Sequence, residues 1–341
     1  MSTPSDPDPN RPREETEVTV GPIRRGSVWF EDGTIILQVE RTQFQVYRGL
    51  LASSSEIFAD MLAMPQPNTL DHTVDGPPVV ELADSARDWE HVLKAMFQRG
   101  YVYAKTSEIP VAVVSAFLRL GKKYGFHALM ADAVERLQYE FPPTLEARDA
   151  IKSSMVSLES PADYYDIVNL ARETDLVSIL PGALFECINH SGMFEHLMSG
   201  YEREDGTVAV ISQADQERCL SAWRTLVELQ RTTTYAWLNV PGTWYSDSVV
   251  YRCSDPRRGC FKKREVIAGA LWHGVSFPSC DPIFQNWSAN LEAHASGQCP
   301  SCAKECQRLH IAGRQSAWEK LPIVFDLPNW QTLIQLRTYG F

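Results

Sequence analysis

The sequence holds no apolar run near 18 residues and no apolar stretch at its start. That predicts no transmembrane segment and no secretory leader, hence a cytoplasmic or nuclear protein with no membrane partner. It also lacks G-x-G-x-x-G, G-x-x-x-x-G-K-[ST], H-E-x-x-H and G-x-S-x-G. Those absences remove the sequence marks of nucleotide binding, zinc proteolysis and α/β-hydrolase chemistry. The 8 histidines are scattered, with no pair four residues apart on a plausible helix. Positive charge is in deficit: the net charge is −11 and the pI near 5.3. A field of that sign repels phosphate and disfavours nucleic acid or an anionic bilayer as a partner for the whole molecule. The expectation is no enzyme and no small-molecule substrate.

The chain has 341 residues, 44% hydrophobic and 22% charged. These are globular values, and the length suits two or three domains. Residues 1–20 hold 4 prolines, 5 acidic residues and 2 arginines, with almost nothing apolar before Val18. Such a stretch cannot bury enough surface to offset its ordering entropy, so 1–22 is predicted to be a disordered tail.

Residues 23–140 carry strand and helix patterns in alternation. Val28 to Val39 predicts a strand, a hairpin-type turn at Asp32-Gly33, and an apolar run Ile35-Ile36-Leu37 that suits a strand buried on both faces. Phe44 and Val46 alternate with Gln43 and Gln45, a half-buried strand. Leu50, Leu51, Ile57, Phe58, Met61 and Leu62 fall at helical spacings, with Ser53, Ser54 or Ser55 as the cap of the second of two short helices. Residues 64–78 form a proline-rich loop, and Val79 to Leu82 a short strand. Asp84 or Ser85 caps a helix faced by Trp89, Val92, Leu93, Met96 and Phe97 and stopped at Gly100. Two more helices follow, on Val113 to Leu120 and Leu129 to Leu137. A short sheet of three strands with helices packed around it is an α+β domain.

From Pro142 strand signals nearly vanish, and 141–341 reads as a mainly α-helical domain. Ser160-Pro161 opens a helix through Leu170, and Ser212 to Asp215 is a capping-box variant before a helix through Leu229. Lys262 to Trp272, Ile283 to Leu291, Ser301 to Leu321 and Trp330 to Leu336 read as further helices. Of the 9 tryptophans, those from Trp223 onward number 7, which implies a packed core here.

The first half resembles a BTB/POZ domain, in wording closest to the fungal branch of that family. The resemblance rests on Trp29-Phe30-Glu31-Asp32-Gly33 with Gln38, on Val46-Tyr47-Arg48, on Leu51-Ala52 with Ser55 and Phe58, on Phe97 to Tyr101, and on Leu120 with Lys123-Tyr124. Tyr47 stands where the family has histidine, and Gly121 where it has alanine. The resemblance implies an oligomerising protein-interaction module whose partner is itself or another BTB protein. It places Asp32 and Arg48 in a buried or half-buried charged pair and Arg48 to Ser55 in the dimer-forming helices. The interaction residues it points to are Asp32, Arg48, Leu50, Leu51, Phe58 and Met61. Some relatives of that family recruit a cullin ubiquitin-ligase scaffold through a hydrophobic–x–Glu element; the loop Met64 to Pro78 contains no glutamate.

Eight cysteines without a leader read as thiols or metal ligands rather than disulfides. Cys299-Pro300-Ser301-Cys302 is a CxxC, and Cys253 and Cys260 flank a turn sequence. Two readings stay open for a Cys-rich element at 253–306. One is a tetrahedral zinc site on Cys253, Cys260, Cys299 and Cys302, with Cys280, Cys306, His273 and His310 as spare ligands. The other is buried free thiols in a helical core, with no cofactor at all. Beside this element Arg257, Arg258, Lys262, Lys263 and Arg264 cluster, either as a solvated loop or as a nuclear or nucleic-acid patch. The expected function is a BTB scaffold or adaptor. The alternatives are a cullin-ligase substrate adaptor and a nuclear transcriptional regulator with a zinc-stabilised C-terminal module.

Overall fold

The computed structural model describes residues 22–64, 76–101, 107–189, 193–203, 205–238, 253, 259–273 and 280–340. The expected tail and most of the proline-rich loop lie outside them. The class is α+β, as the patterns predict.

The first strands are β1 (Arg24–Trp29), β2 (Ile35–Val39) and β3 (Thr42–Val46). The helical pair α1 (Arg48–Ser54) and α2 (Glu56–Ala63) follows, then β4 (Val79–Leu82). The sheet has four strands in the order β1-β3-β2-β4. β2 and β3 are antiparallel, with Ile35 opposite Val46, and join through Glu40-Arg41, where Glu40 has φ 53°. β1 lies parallel to β3, and β4 parallel to β2. So Asp32-Gly33 is a turn between strands that are not neighbours, and the hairpin falls one strand later than expected. β2 also departs from the expectation of burial on both faces. Ile35, Leu37 and Val39 are buried, while Ile36 and Gln38 are half-buried, the alternation of a sheet packed hard on one side.

Helices cover that side. Ser55 caps α2, its Oγ accepting from Phe58 N at 3.0 Å and donating to the Tyr124 carbonyl. Ser85 caps α3 (Ala86–Phe97), which buries Ala86, Trp89, Val92 and Leu93. The two-residue β5 (Ile109–Pro110) leads into α4 (Val111–Tyr124), which is buried on almost every turn. α5 (His127–Glu140) lies against it so closely that a Cβ on Gly121 would stand 2.8 Å from Met130 Cβ. That contact accounts for glycine at 121.

Beyond come α6 (Leu145–Ala150), the short β6 (Val156–Ser157) paired with β5, and α7 (Pro161–Thr174). A complete capping box, Ser160 with Asp163, starts α7. Then follow α8 (Leu180–Ile188), α9 (Met193–Ser199), the hairpin β7 (Tyr201–Glu202) and β8 (Val208–Ala209), and α10 (Gln213–Thr232). The last helices are α11 (Cys260–His273), α12 (Ala289–Ser296), α13 (Pro300–Val324) and α14 (Trp330–Gly340). The expected helix over Ile283 to Leu291 is absent. A 3-10 turn spans Asp281–Phe284, and Ser288 caps a new helix by accepting from Leu291 N at 3.3 Å.

One cluster of buried apolar side chains runs from Val28 to Phe325, across the expected boundary at 140. α13 joins it through Ala317, Trp318 and Leu321. Two small clusters stand apart. One holds Tyr235, Trp237, Leu238, Ile267, Leu291 and Cys306; the other holds Cys260, Cys299 and Cys302, with Cys253 packed against them. Among the described residues no helix is long and apolar enough to cross a membrane.

Candidate metal centre

The thiol cluster is assembled by two helix starts. Cys260 is the first residue of α11. Cys299 is the N-cap of α13, in extended conformation, with Pro300 as the first helical residue. Proline is preset for that position and has no N–H to leave unpaired. Cys302 then falls in the first turn of α13, three residues on and on the same face. Cys260, Cys299 and Cys302 are buried; Cys253 is half-buried.

The four sulfurs lie within 4.8 Å of one another. Cys253 Sγ is 3.8 Å from both Cys260 Sγ and Cys299 Sγ. The Cys299 backbone N–H donates to Cys260 Sγ at 3.3 Å. A disulfide needs sulfurs about 2.05 Å apart, and all 8 cysteines are free. A tetrahedral ion with metal–sulfur bonds of about 2.3 Å holds its sulfurs about 3.8 Å apart, the separation of Cys253 from Cys260 and from Cys299. The set can hold a metal such as zinc. Burial pushes the Cys302 thiol up, and the hydrogen bonds that this thiol gives to Cys299 and Cys253 push it the same way. The Cys302 thiol thus resists ionisation until a cation sits beside it; a bound metal reverses the sign.

The other ligand candidates are engaged elsewhere. Cys306 lies one turn beyond Cys302, with its Sγ donating to Gln298 Oε1 at 3.5 Å. Cys280 is buried in the main core. His310 is buried: Trp237 Nε1 donates to its Nδ1 at 3.4 Å, which leaves Nε2 to donate to the Gln285 carbonyl at 2.8 Å. Burial holds that imidazole below the usual histidine range. The side chain of His273 lies outside the described residues, as do Arg257 and Arg258. Of the remaining basic cluster, Lys262 is exposed, Lys263 donates to the Gly297 carbonyl, and Arg264 is fully buried.

The residues singled out for interaction fall into two groups. Leu51 and Phe58 are core residues, each 0% exposed, with the Phe58 ring 5.3 Å from Tyr124 and 5.7 Å from Trp89. Neither can meet a partner, because helical spacing alone does not tell an inward from an outward position. Leu50 is 48% exposed, and Met61 is half-buried. The charged pair is not formed. Asp32 is exposed and accepts from Tyr47 Oη at 2.7 Å. That bond, with burial second, raises the Tyr47 phenol above its ordinary value. Arg48 donates to the Leu62 carbonyl instead. Tyr47 takes the acid that Arg48 was expected to hold.

No family model, no curated protein and no solved structure matches the chain.

Proposed function

We propose that the chain is a non-enzymatic interaction protein of the BTB/POZ kind, whose helical second half is closed by zinc. The association part is supported by the α1–α2 pair. Ser55, Leu51 and Phe58 pin the pair to the core, while Leu50, Ile57 and Met64 stand 48%, 46% and 65% exposed. Large apolar side chains gathered on one short helical pair are the make-up of an associating surface. A second copy of this chain, or another BTB protein, is the partner for it. Light scattering of the full chain tests this. A dimer that Leu50→Asp with Ile57→Asp turns into a monomer of unchanged thermal stability is expected; a wild-type monomer at micromolar concentration sinks it. Affinity purification separates the scaffold from the ligase adaptor, since only the adaptor retains a cullin at near-stoichiometric yield.

The zinc part is carried by the sulfur spacing. Cys253, Cys260, Cys299 and Cys302 would hold the ion, and four sulfurs leave no position for a substrate, so its role is structural. The two small clusters contain nine buried residues between them. A core of that size does not hold a module together unaided. Metal analysis of purified protein should give one zinc per chain, and absence of metal after refolding with zinc would refute the site. The nuclear-regulator reading is weaker, since Arg264 is buried and cannot contribute to a DNA-facing patch.

A further inference from the structure

We infer that Arg264 is the counter-cation of the four-cysteine site and that Gln298 fixes it there; this rests on the metal reading above. A divalent ion on four thiolates carries two net negative charges. Burying such a charge is costly unless positive charge stands beside it. Two helix starts supply part of it. α11 begins at Cys260 and α13 is capped by Cys299, and each N-terminus acts as about half a positive charge.

Arg264 is placed to supply the rest. It lies one turn beyond Cys260, at the spacing that stacks two side chains on one helix face about 5–6 Å apart. It is 0% exposed. Its Nε donates to Gln298 Oε1 at 3.3 Å, and Gln298, also buried, directly precedes Cys299. Cys306, one turn beyond Cys302, meets the same Gln298 oxygen at 3.5 Å. Guanidinium, amide and thiol thus meet one helical turn beyond Cys260 on α11 and one turn beyond Cys302 on α13, tied to both halves of the ligand set. The Phe261 ring lies 5.5 Å from the guanidinium carbon. The neighbouring Glu305 carboxylate is held by Arg308 at 2.7 and 2.9 Å.

Two roles for a buried arginine make opposite forecasts. If Arg264 only fills space, an apolar residue of similar volume replaces it without loss. If it offsets thiolate charge, that replacement weakens the metal. The test is titration of the full-length chain with Co(II), followed by Zn(II) competition against a chelator. Wild type, Arg264→Met, Arg264→Lys and Gln298→Glu are compared, with helical circular dichroism as the check on folding. Wild type should show one tetrahedral tetrathiolate cobalt per chain. Arg264→Met should lose about 10–100-fold in zinc affinity, the usual scale for residues behind a metal's ligands. Arg264→Lys should recover most of that loss. Gln298→Glu keeps the arginine but places an anion beside it, and should weaken zinc in the same direction. If Arg264→Met does not fold, Gln298→Glu decides alone. Equal affinity in wild type and the folded variants overturns the inference and leaves the metal site standing, as does equal weakening by Met and Lys. A wild type that binds no cobalt overturns both.

Discussion

Arg314, midway along α13, reaches back 165 positions to Asp149, its Nη2 standing 2.8 and 3.0 Å from the two carboxylate oxygens. The same guanidinium donates to the Phe284 carbonyl. Next door, Arg148 lies 5.6–5.9 Å from the rings of Phe185, Phe284 and Trp318, and Trp318 Nε1 donates to the Pro143 carbonyl at 3.0 Å. The short α6 is thereby locked into the last long helix. Asp149→Ala leaves a nearly buried guanidinium without its carboxylate. It should cost about 2–3 kcal/mol, less than a fully buried pair because Asp149 keeps some water. Urea denaturation measures it, and a loss near zero would mean the pair is solvated in solution.

Gly313 gives the sharpest steric forecast. A Cβ there would stand 2.2 Å from the Thr233 carbonyl oxygen, a backbone atom that cannot swing away. Gly313→Ala should therefore destabilise by at least about 1–3 kcal/mol, although alanine is the better helix former. A rise in the thermal midpoint would show that α10 and α13 are not this close.

Leu50 and Leu51 are adjacent and should behave oppositely. Leu51→Ala empties a core position and should cost about 2–5 kcal/mol, as should Phe58→Ala within about 3–5. Leu50→Ala should change stability by less than about 0.5 kcal/mol and act only on association. Paired thermal melts and light scattering read both.

Asp215 sets an acid limit. Burial pushes its carboxyl up, but hydrogen bonds from Arg172 and Ser212 and the charges of Arg172 and Arg218 outweigh it, so the net shift is downward. A folded value below the unfolded one adds stability that is complete above the unfolded range, near pH 4, and vanishes as pH falls through the folded value. Asp215→Asn should thus lose about 3 kcal/mol at neutral pH and draw level with wild type in strong acid. A gap independent of pH would assign the loss to packing.

Chelation should act locally. Hydrogen exchange in the presence of a strong chelator should deprotect α11, α12 and the first turns of α13, while α3, α4, α7 and α8 keep their protection. Uniform deprotection would mean that the two cores melt as one.

The local signals in the sequence were the readable ones. Ser55, Ser85, Ser160 and Ser212 all cap the helices they precede, because a cap is chosen by neighbours one turn away. The CxxC and its distant pair could be matched because four similar ligands are few enough to enumerate. What failed was non-local. Nothing near Arg24 announces that it will lie opposite Thr42 rather than β2. Periodicity alone puts Leu50, Leu51 and Phe58 on equal terms, but Trp89 and Tyr124, far along the chain, hold the Phe58 ring inside. Arg264 read as a surface charge because its residue type says so; Gln298, 34 positions later, makes it interior.

α13 spans 25 residues, about 37 Å, and finishes two separate interiors. Its start contributes Cys302 to the thiol cluster, and its end closes Trp318 and Leu321 over Phe284 and Phe185. Neither interior can be sealed on the ribosome until α13 has emerged. A premature stop ahead of Cys299 would release a polypeptide with two open apolar wounds and half a chelate, a substrate for chaperones and proteases rather than a shorter working protein.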